Sequence, residues 1–175
     1  MASTLTVDNI VGATSSDKIH IPGHVINVVS TKFESVFSFS STSFTNISAS
    51  GQSLSATLTP VSTSSKVLII CNIPMVGNDG SSGVGFGLTR NGTLVGQGTS
   101  GTTQNTIATK YDPTSGSNDY GGTSFNFLDS PSTTSSVTYQ VQALASGGTT
   151  VYVNRRHSDT YFGAPSVITL MEIAQ

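Results

Sequence analysis

Through much of this chain apolar side chains fall on every second residue, and no stretch carries a stripe at helical spacing. Residues 53–59 place Leu54, Ala56 and Leu58 on one side and hydroxyls on the other. Residues 136–143 repeat the pattern, with Val137, Tyr139, Val141 and Ala143 opposite Ser136, Thr138, Gln140 and Gln142. Successive side chains of an extended strand point to opposite faces, so each segment predicts an antiparallel strand buried on one side. Residues 66–75 are apolar on both faces, with Val67, Ile69, Cys71, Ile73 and Met75 opposing Leu68 and Ile70. A strand of that kind is covered twice, inside a sandwich or at a contact between subunits. Further strands are expected at 24–39, 83–90, 93–98, 124–128, 149–154 and 166–173. Asn91-Gly92 tolerates the positive φ angles of a type I′ turn and predicts a hairpin. Gly147-Gly148 predicts a second one, joining 136–143 to 149–154, while 112–122 and 129–135 read as polar loops. Many short strands with turn signals between them make an all-β, antiparallel β-sandwich or barrel.

Residues 1–23 differ from the rest. Thr4 to Ile10 alternates apolar and polar residues, 12–18 is polar, and Ile21-Pro22-Gly23 punctuates the chain. They predict an extended N-terminal arm ahead of a sandwich domain at 24–175, with Leu5, Val7 and Ile10 as its attachment residues. Composition narrows the function classes. Charged residues make up 9% of the chain, against roughly 25% in an ordinary domain. The seven basic residues are scattered, so no patch neutralises several phosphates and no nucleic-acid partner is expected. No apolar run reaches the ~20 residues of a membrane helix, and no membrane partner is expected. The N-terminus lacks the basic-then-apolar pattern of a secretory signal, so synthesis in a cytoplasm is expected. The net charge of −2 and the regular apolar groups set the chain apart from disordered sequences.

The search for chemistry yields little. Gly83-Val84-Gly85-Phe86-Gly87 has the look of a nucleotide loop, but its glycines alternate with apolar residues and a hairpin follows in place of a helix. The better reading is a strand whose face at Gly83, Gly85 and Gly87 admits another backbone closely, as at a subunit interface. His20 and His24 flank Pro22-Gly23 and cannot share a helix face, and no metal site is expected. His157, beside Arg155, Arg156 and Asp159, reads as a loop or interface residue. Asp112, Asp119 and Asp129 read as turn residues. No spacing nominates a pair of acids for glycoside cleavage, and no nucleophile elbow is present. Cys71 stands alone in an apolar run and reads as a small buried hydrophobe. Catalytic residues and cofactors are therefore expected to be none.

Several blocks of sequence nevertheless form a recognisable series. Ser3 to Ile10, Lys18 to Ile26, Leu58 to Val67, Phe127 to Pro131, Thr150 to Asn154 and Ile168 to Ile173 together resemble small structural proteins of tailed bacteriophages, especially those of aquatic bacteria and cyanobacteria. The resemblance implies a jelly-roll-like sandwich, often trimeric, on a tail fibre, an appendage or the capsid exterior, and it supplies no catalytic residues. The expected partners are sister copies in a homotrimer, other virion proteins through the arm, and a host-surface glycan. A capsid-exterior decoration protein is the alternative within that class, and a free carbohydrate-binding module is the alternative outside it. For the latter, Tyr111, Tyr120 and Tyr161 are the tyrosines near predicted loops, and there is no Trp.

Overall fold

The computed structural model describes residues 21–78, 83–101, 104–111 and 120–175. Among them there is no helix. The strands in chain order are β1 (Val25–Phe33), β2 (Phe37–Phe39), β3 (Thr45–Asn46), β4 (Ser48–Ala49), β5 (Gln52–Ser53), β6 (Ser55–Leu58) and β7 (Lys66–Asn78). They continue with β8 (Val84–Arg90), β9 (Thr93–Val95), β10 (Ala108–Lys110), β11 (Gly121–Asp129), β12 (Val137–Ala145), β13 (Val151–Val153) and β14 (Ser166–Ile173). One sheet runs β1-β14-β7-β13-β2, with β11 also paired to β7. The second runs β10-β8-β12-β3, with β6 on β12 and β9 on β8. Every pairing is antiparallel. The result is the all-β sandwich that the alternation predicts.

The alternating residues meet where expected. Val67, Ile69, Cys71 and Ile73 of β7, with Ile168 and Leu170 of β14, join Ala56, Leu58, Phe86, Leu88, Val137, Tyr139 and Val141 of the other sheet in one buried cluster. Cys71 lies inside it, and burial pushes its thiol up to about 12. At pH 8 that thiol is protonated as well as inaccessible, so a disulfide reagent should not react with the folded chain. One equivalent should react after denaturation, and rapid labelling of the native protein would contradict this packing.

Several expectations need correction. The single strand at 24–39 is two, broken at residues 34–36, where the Gln52 side-chain oxygen accepts the Glu34 and Ser35 N–H groups. The Gly147-Gly148 turn does not close a hairpin, because β13 pairs with β7 and β2. Both edges of β12 are already taken, by β8 and by β6 and β3, so the chain crosses to the other sheet. Asp129 is no turn residue; it ends β11 and is buried. Gly121 and Gly122, expected in a loop, begin the same strand. The arm residues Leu5, Val7 and Ile10, and His20, lie outside the described residues. The described chain is tied to the fold almost from its start, since Gly23 N–H donates to Ala174 O and Ala174 N–H to His24 O.

Candidate functional site

β13 and β14 share one edge of β7 and leave a gap opposite Ile73 to Met75. The chain between them leaves the sheet there as an excursion over residues 154–165. Asn154 closes its neck. This residue adopts φ 70°, and its amide nitrogen donates to Phe33 O and Ser35 O at 2.7 and 2.9 Å. Its side-chain oxygen accepts the Ser166 hydroxyl at 2.7 Å. Asn tolerates the left-handed region better than other side chains, which suits it to this corner. A bridge between Arg155 and Gly163 narrows the base further.

Two arginines then fix the loop from opposite sides. The Arg155 guanidinium stacks 4.0 Å over the Tyr152 ring and donates to the carbonyls of Arg156 and His157. Arg156 forms a two-pronged pair with Asp159, whose Oδ1 also accepts the Tyr161 N–H at 2.9 Å. That arginine, and then the Tyr161 N–H, hold the Asp159 carboxyl below its ordinary range. The Arg156 guanidinium also lies over Tyr161 and Phe162, 5.2 and 5.6 Å from the ring centres. Tyr161 meets Phe162 edge-on at 4.8 Å, and Tyr120 approaches Phe162 at 6.1 Å from the start of β11. The outcome is a braced aromatic corner that stays open to solvent, with Tyr161 75% exposed. Beside it lies a depression of about 340 Å³ bordered by Glu34, Val36, Thr160 and Phe162.

A larger depression of about 550 Å³ opens at the other sheet, lined by Gly83, Gly85, Thr106, Lys110, Tyr111 and Ser146. Lys110 is buried there and donates to the Asn78 side-chain oxygen. The glycine face lies inside the fold. A Cβ on Gly85 would meet Thr106 and Leu144, and one on Gly87 would meet Phe44 and Leu94. The close approach made by these two glycines is thus to the chain's own side chains. Gly83 lies at the rim, where its N–H donates to Ser146 Oγ.

The structure brings Tyr120 and Tyr161 together and leaves Tyr111 apart, in the larger depression. His24 sits exposed at the entry to β1 and His157 against Tyr152, so these two described histidines do not converge. Among the described residues no group of three His, Cys, Asp or Glu is placed to hold a metal. The four described carboxylates are each engaged: Glu34 with Lys32, Asp129 with Arg90 and Tyr139, Asp159 with Arg156, and Glu172 with the Val61 N–H. Sequence reasoning missed Arg156 and Phe162 as partners of the tyrosines. An Arg-Arg pair ahead of a Tyr-Phe pair was the available signal.

No protein-family model matches the chain, and no curated protein matches it. Among solved structures, that of infectious bursal disease virus, Gt strain, aligns at a TM-score of 0.38 and 14% identity. The Gx strain structure aligns at 0.36 and 12%. Each alignment covers 100% of this chain, which spans 43% and 41% of those chains.

Proposed function

We propose that the chain is a structural component of a tailed-phage virion. In this reading it is a trimeric tail-fibre or appendage module. Its residues 1–23 dock on the particle, and its sandwich is an exposed head that touches a host-surface glycan. The observation that carries the reading is where the polar chemistry of the described fold goes. Of the four described carboxylates, Asp129 ties the two sheets together, Asp159 braces the loop after β13, Glu172 holds the Val61 N–H, and Glu34 pairs with Lys32 at the surface. In this reading the molecule works by shape and contact. The resemblance of the ordered series of sequence blocks to tailed-phage structural proteins supports the virion setting. The aromatic corner supports the host contact: ring faces beside a planar guanidinium–carboxylate pair suit the apolar faces and hydroxyls of a sugar.

Two other readings make different predictions for one experiment. Gold-labelled antibodies against the sandwich should decorate tails or their appendages on intact particles. Label on the capsid faces would make the chain a decoration protein instead. Glycan binding by the purified chain with no label on any particle would favour a free carbohydrate-binding module, for which the Tyr161 platform speaks.

A further inference from the structure

We infer that the outward face of the sheet formed by β1, β14, β7 and β11 is a contact surface for a second copy of this chain; the inference rests on the oligomeric reading above and names its interface. The strand register fixes the composition of that face row by row. Lys32, Val167, Asn72 and Ser124 stand side by side across β1, β14, β7 and β11. The next row is Ser30, Thr169, Ile70 and Asn126, and the third is Val28, Met171, Leu68 and Leu128. This third row is apolar across all four strands. Within it Val28 and Leu128 are 55 and 47% exposed while Met171 and Leu68 are half-buried, and Ile70 in the neighbouring row is 40% exposed. The outward face of an antiparallel sheet in water is normally polar, so an apolar row four strands wide marks a surface that is covered in the working molecule.

Three properties of the face fit a sister copy. Its charges are confined to the margins: Lys66 beside Ile173, and Lys32 already paired with Glu34 at 2.7 Å. Copies of this face gathered around a three-fold axis therefore meet without strong like-charge repulsion. The hydroxyls of Ser30 and Thr169 bond to each other at 2.9 Å, so part of the polar row next to the apolar one is satisfied before contact and loses less on leaving water. The size also suits self-association. Four strands about 4.8 Å apart and four outward positions about 6.8 Å apart make a patch roughly 19 Å by 25 Å. With side-chain relief that approaches the ~800 Å² each partner gives to a standard interface. The outward side of β7 is then covered by another subunit, and its inward side by the sandwich core.

The test is sedimentation of the full chain between about 1 and 100 μM, a range that brackets interfaces of this size. Wild type should sediment as an oligomer. Leu68→Lys, at the centre of the apolar row, should weaken self-association by about 100-fold or more. Thr57→Lys, on the outward face of the other sheet, should change nothing. Circular dichroism and the thermal midpoint should be unaltered in both, because neither side chain joins the core. Should Leu68→Lys unfold the chain, Leu128→Cys gives a second reading: maleimide labelling at position 128 should slow as protein concentration rises. A wild type at monomer mass throughout, an oligomer that survives Leu68→Lys, or labelling independent of concentration would overturn the interface. Dissociation by Leu5→Lys/Val7→Lys but not by Leu68→Lys would give the contact to the arm and overturn it equally. None of these outcomes decides whether the chain is a virion component, which particle composition tests separately.

Discussion

Replacing Asp129 by alanine is expected to destabilise the fold by about 2–4 kcal/mol, mainly by stranding a buried hydroxyl. Asp129 ends β11 in one sheet, while Arg90 and Tyr139 belong to β8 and β12 in the other. The carboxylate accepts the Tyr139 hydroxyl at 2.7 Å and Arg90 Nη1 at 2.8 and 3.0 Å, so it pins the two layers together. Tyr139 is fully buried and would have no acceptor in the variant. The Arg90 side chain is 31% exposed and can turn to water, so its share of the loss is smaller. Tyr139→Phe should cost only about 1 kcal/mol, since the carboxylate keeps its arginine. Urea unfolding of the three proteins reads both values, and an Asp129→Ala loss below about 0.5 kcal/mol would contradict the bridge. The Tyr139 hydroxyl also carries a pH dependence. Burial raises its pKa, and the bond to Asp129 raises it further. In alkali the unfolded chain ionises first, near pH 10. The contribution is therefore complete below that pH and is lost as pH climbs towards the folded value.

Gly77→Ala should be at least as damaging, by about 3 kcal/mol or more, through overpacking against rigid backbone. A Cβ at this position would stand 2.3 Å from the His157 nitrogen and 2.5 Å from the Arg156 carbonyl carbon. Neither atom can yield without moving the loop that carries Arg156, Tyr161 and Phe162. Gly51→Ala is the informative contrast. Gly51 has φ +76° but open space around it, so only the conformational cost of about 1 kcal/mol applies. Thermal melts should separate the two, with a fall of roughly 6–12 °C for Gly77→Ala and less than half of that for Gly51→Ala. Equal shifts would mean that the loop does not press on β7 as described.

How much was legible in the sequence varies by element, and the reason is physical. β14 occupies the very residues that the alternation picked out, because a strand with a clean inward face announces its period. Asn91-Gly92 turns as read, with φ of 48 and 86°. The two-faced strand at 66–75 was also informative, since β7 buries Val67, Ile69, Cys71 and Ile73 and leaves Ile70 exposed. β3, β4 and β5 are two residues each, too short for any period to show. Asp129 was misread because an acid before Ser130-Pro131 carries turn chemistry, whereas its partners lie 39 and 10 residues away and are set by tertiary pairing. The aromatic corner was hidden for the same reason. Tyr120 and Phe162 meet only because β11 and the excursion after β13 flank one strand.

Particle composition tests the central claim most directly. On the proposed reading, gradient-purified phage particles whose genome carries this sequence should contain the chain in a fixed copy number, a multiple of three per particle, as judged by quantitative peptide mass spectrometry against the major capsid protein. Its recovery only from the unassembled fraction of the lysate, with none in the particles, would contradict a structural role in the virion.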